Sequence, residues 1–258
     1  MKKEELLLQR LDEIGKSLER EGGALALLGL GSVGVERERL DEHSDLDFFI
    51  IVEPGQKNRF IDRLDWLEEV RPLAYSFKNT SVGCKILFED GIYGEYAVFE
   101  EWELENSSYA EGRVVWKAPS YANTGIAKSS RNMPSIRNDS LDHPLNEALT
   151  NLYVGLCRYA RGEKLSATRF VQGYAVDSIL SVLHLLEEEA DGFPDPFGND
   201  RRLERRYPRF AAIAGSMIQG YDRVPESALC ILSYLEEVYP VNRRLSEEIR
   251  RLADRIGR

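Results

Sequence analysis

The chain has 258 residues, enough to bury a substantial core in one large or two smaller domains. Its formal net charge of −10 counts against a nucleic-acid substrate, whose binding rests on phosphate neutralisation by Lys and Arg, and leans toward a small or cationic partner. No apolar stretch approaches the length that spans a bilayer, and charge interrupts the start where a signal peptide would run on, so a cytoplasmic protein without a membrane partner is expected.

Leu6, Leu7, Leu11, Ile14 and Leu18 recur at helical spacing among charges, which predicts an amphipathic helix over residues 3–20, ended by Glu21-Gly22-Gly23. The apolar run from Leu25 to Leu30 predicts a strand closed by Gly31-Ser32. A second strand, Phe48 to Val52, is opened by Ser44-Asp45-Leu46-Asp47. After the Pro54-Gly55 turn, Phe60, Ile61, Leu64, Leu67 and Val70 repeat at helical intervals up to Arg71-Pro72. Three more strand-like runs follow, Leu73 to Phe77, Val82 to Phe88 and Ile92 to Phe99, the last two joined by a hairpin turn at Glu89-Asp90-Gly91. A short run, Val114-Val115-Trp116, ends at Ala118-Pro119.

From Ser120 to Asp142 apolar periodicity vanishes among Ser, Asn and Thr, which reads as a connecting segment. Beyond it every stripe is helical: Leu145 to Tyr159, Phe170 to Leu186, Phe210 to Ile218, Ala228 to Val238 and a charged final helix. The pattern predicts an α+β chain with a small mixed sheet and helices over residues 1–118, a connection over 119–142 and a helical bundle over 143–258. Cys84, Cys157 and Cys230 lie far apart, without Cys-x-x-Cys spacing or a neighbouring histidine pair. That argues against zinc and a disulfide framework and for three buried thiols.

The chemistry concentrates at two places on consecutive strands. Side chains two apart on a strand project to one side, so Asp45 and Asp47 would form a clamp for a hard cation such as Mg²⁺, which takes one or two carboxylates plus substrate phosphates. A glycine lets backbone approach a ligand closely, and the Ser32 hydroxyl with nearby N–H groups would hold phosphate oxygens. Arg37 offers a guanidinium fork for phosphate, although a surface arginine in a charged turn accounts for it as well. Phosphoryl transfer also wants a base at the attacking hydroxyl, and Glu95, an acid between apolar neighbours in a strand-like run, is the best candidate. The solvent face of an edge strand explains Glu95 equally. Glu89 and Asp90 fall in the turn. His43, the Arg201–Arg206 cluster and the aromatics Tyr93, Tyr96, Trp102 and Tyr109 read more simply as solvated or core residues.

The order of strand, Gly31-Ser32, polar turn and Ser44-Asp45-Leu46-Asp47 resembles the signature of the DNA polymerase beta-like nucleotidyltransferase superfamily. Here Gly34 comes early, and Arg37 and Arg39 follow it. Together with Gly94-Glu95-Tyr96 after a hairpin and Tyr159-Ala160-Arg161-Gly162-Glu163 in the helical half, the chain is similar to the antibiotic-modifying branch, nearest the lincosamide nucleotidyltransferases and more distantly the aminoglycoside adenylyltransferases. The resemblance implies that Asp45 and Asp47 hold Mg²⁺, that Gly31 and Ser32 hold the triphosphate of ATP or another NTP, and that Glu95 takes the proton from a small-molecule hydroxyl. It also implies a helical half serving acceptor binding or a homodimer. The competing expectation is a nucleotide-binding regulatory or antitoxin-like protein, or a protein-modifying relative of the same fold. An RNA-extending enzyme is disfavoured by the charge and the lack of an evident basic region.

Overall fold

The structure, a computed structural model, describes residues 2–123, 125–190, 195 and 197–256. The chain is α+β and separates into two compact units, Met1–Pro134 and Ser135–Arg258. Among the described residues no helix is long and apolar enough to cross a membrane.

The first unit opens with helix α1 (Lys3–Glu21), whose Leu7, Leu11, Ile14 and Leu18 are all buried. It continues through β1 (Ala24–Gly29), β2 (Leu46–Val52), the short helices α2 (Lys57–Asp62) and α3 (Asp65–Glu68), β3 (Leu73–Lys78), β4 (Gly83–Phe88), β5 (Tyr93–Glu100), α4 (Glu101–Glu105) and β6 (Arg113–Lys117). The single helix expected from Phe60 to Val70 is thus two pieces. The six strands form one mixed sheet in the order β3-β4-β5-β2-β1-β6, with β2 and β5 parallel and the other pairs antiparallel.

Alternation along the strands assigns two faces. Phe48, Ile50, Ile86, Phe88, Tyr96 and Val98 are buried with α1, α2 and α3 in one apolar cluster. Phe49, Ile51 and Phe99 point the other way and pack with Leu104, Tyr109, Tyr121 and Ile126. Two residues of the expected connection, Tyr121 and Ile126, thus join this packing. Tyr121 and Ile126 are buried, and the Tyr109 hydroxyl donates to the Ile126 carbonyl at 2.8 Å. The acidic run after β5 is likewise ordered: Glu103 accepts from the Glu100 N–H at 2.9 Å in a capping box that starts α4.

The second unit is helical: α5 (Asp142–Ala160), α6 (Lys164–Thr168), a π turn (Arg169–Tyr174), α7 (Ala175–Leu180), α8 (Leu183–Leu186), α9 (Leu203–Arg206), α10 (Pro208–Met217), α11 (Val224–Val238) and α12 (Arg243–Ile256). α5 lies at its centre, against α6, α7, α11, α12 and the π turn. Gly155 makes this closeness possible, since a Cβ there would come within 2.5 Å of Val171. The arginines of 201–206 are not simply solvated. Arg206 is buried and donates to Glu189 at 2.7 Å, and Arg202 donates to the buried Asp195 at 3.0 Å. The cysteines are free; Cys84 is buried as expected, but Cys157 and Cys230 sit on helix flanks and are only half-buried.

Candidate active site

Asp47 is the register partner of Glu95 in the parallel pair of β2 and β5, so the two side chains leave neighbouring strands, about 4.8 Å apart, on the same face. The row extends one strand further, because Lys85 on β4 pairs with Glu95 from the other side. Lys85 Nζ lies 2.8 Å from Glu95 Oε1, and the Tyr93 hydroxyl donates to the same oxygen at 2.8 Å. Burial pushes the Glu95 carboxyl up, but the hydrogen bonds from Lys85 and Tyr93 outweigh it and hold Glu95 below the ordinary glutamate range. The Lys85 ammonium is in turn pushed up by its hydrogen bond to Glu95. Both side chains remain about a third exposed, so this is a cross-strand pair open to solvent.

The Gly-Ser turn reaches the same place from β1. The Leu30 N–H donates to the Asp47 carbonyl at 2.8 Å, and the chain then turns through a 3-10 segment, Gly31–Val33. Gly31 has a φ of +53°, and a Cβ on it would lie 4.0 Å from Asp47 Oδ2, so this glycine stands against the carboxylate. Ser32 is half-buried on the turn. Gly34 closes it: a Cβ there would come within 2.5 Å of the Gly29 carbonyl oxygen and 2.8 Å of the Leu30 backbone. Arg37 is exposed in the next 3-10 segment, Arg37–Arg39.

Asp45 stands just ahead of β2, which starts at Leu46, so the period-two argument places Asp47 on the strand and Asp45 at its threshold, half-buried. The turn before it is tied by Ser44, whose hydroxyl donates to Asp41 Oδ1 at 3.0 Å and accepts from the Asp41 N–H at 3.0 Å. Among the described residues no three His, Cys, Asp or Glu side chains gather into a metal-holding group. Two aspartates at a strand entrance nonetheless suit magnesium, an ion that keeps most of its places for water and phosphate oxygens.

Three residues beside the site carry no motif signal. Lys85 is found only through strand register, whereas Tyr93, two positions before Glu95 on β5, shares its face by strand alternation. Arg113, on β6 opposite Gly29, donates to the Val33 carbonyl at 3.2 Å and so braces the Gly-Ser turn. Burial first and the nearby Arg37 charge second disfavour its charged form, and its Nε is buried with no hydrogen-bond partner among the described residues. His43 is exposed, Trp102 is 60% exposed, and Tyr96 and Tyr109 are buried in the two cores.

A cavity of about 300 Å³ opens beside the two carboxylates, bounded by Asp47, Glu95, Phe49, Leu30 and the β3–β4 turn. No family model matches the sequence, and no curated protein matches it. Among solved structures the chain is similar to an aminoglycoside 6-adenyltransferase from Bacillus subtilis, at 15% identity and a TM-score of 0.40, over 97% of this chain and 98% of that one.

Proposed function

We propose that the protein is a magnesium-dependent nucleotidyltransferase that moves AMP from ATP onto a hydroxyl of a small molecule, with an aminoglycoside or lincosamide antibiotic as the leading acceptor. The observation that carries this reading is the pairing of Asp47 with Glu95 in register, with Gly31 against the Asp47 carboxylate. Asp45 and Asp47 would hold the magnesium, which when bound neutralises phosphate charge. Gly31 and Ser32, with Arg37 nearby, receive the triphosphate.

Glu95 accepts the proton of the acceptor hydroxyl. The acceptor oxygen forms a bond to the α-phosphorus, the bond from that phosphorus to the oxygen bridging to the β-phosphate breaks, and pyrophosphate leaves with that oxygen's electron pair. A carboxyl held low by Lys85 and Tyr93 is ionised at neutral pH and ready to take a proton. The acidic overall balance suits a cationic acceptor.

Protein, Mg²⁺ and labelled ATP incubated with a panel of aminoglycosides and lincosamides should release pyrophosphate with at least one of them. Silence across the panel overturns the drug-modifying reading. The second reading, a regulatory nucleotide-binding protein, draws on the Lys85–Glu95 ion pair, which neutralises the base. ATP binding in calorimetry without product from any acceptor, together with a co-purifying protein, would favour it.

A further inference from the structure

The helical unit holds a cavity of its own, about 360 Å³, between α10 and α11. Its size is at the small end of ligand pockets. Ile213 and Met217 from α10 and Leu229 from α11 give it hydrocarbon walls. Tyr234 and Glu237, three positions apart on α11 and so neighbours on one helix face, also line it.

The polar groups of the lining offer lone pairs. Ser216 Oγ donates to the Ile213 carbonyl at 2.7 Å and Ser233 Oγ to the Leu229 carbonyl at 2.9 Å, so both hydroxyls are left as acceptors. Cys230 Sγ accepts from Gln219 Nε2 at 3.8 Å. Tyr234 is 7% exposed, and its hydroxyl is buried with no hydrogen-bond partner among the described residues. A buried polar group left unpaired is costly, and a ligand donor would remove that cost. Glu237 is exposed and forms no ion pair among the described residues. Burial first, then the Glu187 and Glu237 carboxylates, push the Tyr234 hydroxyl up, with Arg209 opposing them, so the field at this oxygen is that of two acids against one base.

The walls and the charge together decide what fits. Among the described residues no lysine, arginine or histidine lines the cavity, and an anion would meet the Glu237 carboxylate. A sugar would have to press its hydroxyls against Ile213, Met217 and Leu229. An ammonium on a hydrocarbon body would give N–H groups to the Tyr234 oxygen and the Glu237 carboxylate and lay its apolar part on the walls.

We infer that the α10–α11 cavity is a binding site for a small organic ammonium with an apolar body, with Tyr234 and Glu237 receiving the charged end. The site shares no residue with Asp47, Glu95 or the Gly-Ser turn, and it stands whether or not the protein transfers nucleotides.

Methyl NMR on the full chain tests this, with benzylamine, benzyl alcohol, benzoate and glucosamine as probes. Benzylamine should shift the Ile213 and Met217 methyl signals saturably. Benzyl alcohol, benzoate and glucosamine, which lack the charge, reverse it or lack the apolar body, should each bind more weakly by about tenfold or more. Glu237→Gln alters an exposed side chain and should weaken benzylamine by about tenfold while leaving benzyl alcohol unchanged. Tyr234→Phe keeps the ring that packs edge-on to Phe210 at 5.3 Å and should weaken benzylamine likewise. Absence of a benzylamine-induced shift at these methyl groups overturns the inference. So does benzyl alcohol, benzoate or glucosamine binding as tightly as benzylamine, or an undiminished benzylamine affinity in Glu237→Gln.

Discussion

Asp47 and Glu95 face the same side of the sheet from adjacent parallel strands, although 48 positions separate them in the chain. β2 brings Asp47 to its opening residues directly after the polar turn, and β5 delivers Glu95 after the β4–β5 hairpin. The parallel pairing means that both carboxylates lie near the entrances of their strands, beside the turn that follows β1. One end of the inner strands thus gathers Gly31, the metal-binding candidate and the candidate base.

Replacing either acid separates their roles. Asp47→Asn removes the charge of a proposed magnesium ligand and should abolish transfer without unfolding the protein. Glu95→Gln keeps the shape but cannot take the proton, so kcat should fall by about 10²- to 10⁴-fold with the KM for ATP unchanged. Pyrophosphate release across an ATP titration measures both, and retained turnover in Asp47→Asn would sink the metal assignment.

Lys85 sets the acid limb of the pH profile. With its partners in place Glu95 is held below the ordinary glutamate value, so kcat/KM should stay level as pH falls to that ordinary range and decline only below it. Lys85→Met removes a cation 2.8 Å away and leaves burial unopposed except by Tyr93, which moves the limb upward. An unmoved limb would show that another group controls it.

Gly34 tests the turn. A methyl group there collides with the Gly29 carbonyl and the Leu30 backbone, neither of which is a flexible side-chain end. Gly34→Ala should cost about 1–3 kcal/mol, as overpacking does, and weaken ATP binding at least tenfold by moving Gly31 off Asp47. Gly173→Ala, which meets nothing within 4 Å, is the control and should change neither.

Much of this organisation was legible because periodicity reports burial. The stripe Leu7, Leu11, Ile14 and Leu18 marks α1, and the β-branched and aromatic run after Asp47 marks β2. The α+β class followed from short strands succeeded by helical stripes. Register did not follow, because local pattern carries no information about which strand lies beside which. Lys85 and Arg113 were therefore invisible as site neighbours. Residues 119–142 read as a connection because their few buried groups, Tyr121 and Ile126, are irregularly spaced and are anchored by single contacts such as Tyr109 to Ile126. The Asp45–Asp47 alternation put both aspartates on one strand, but β2 begins at Leu46.

Separate cores predict separable folding. The first unit buries its sheet between two apolar clusters of its own residues, and the second has a single cluster built around α5. Fragments 1–134 and 135–258 expressed alone should each unfold cooperatively in urea and show native-like circular dichroism. A fragment that shows no cooperative transition would mean that its core needs residues of the other.

A buried arginine makes the first unit sensitive to acid. Arg10 of α1 is 2% exposed, donates to Asp90 Oδ2 at 2.6 Å and to Glu13 at 3.1 Å, and lies over the Phe88 ring at 4.6 Å. Asp90 sits in the β4–β5 turn, so the pair staples helix to hairpin directly behind the strand that carries Glu95. The hydrogen bond from Arg10 holds the Asp90 carboxyl below the ordinary aspartate value, against the opposing effect of burial, with Arg71 assisting. The unfolded state then binds the proton more readily than the folded state. The contribution is therefore fully present above the ordinary value of about 3.9 and is lost as pH falls through the lower folded value. Asp90→Asn should cost about 1–3 kcal/mol at pH 7, less than a fully severed buried pair because Glu13 and Phe88 still attend Arg10. Urea midpoints at pH 7, 4 and 2.5 should show the gap between wild type and variant closing only at the acid end, and a gap that stays constant across that range would remove the ion pair from the account of stability.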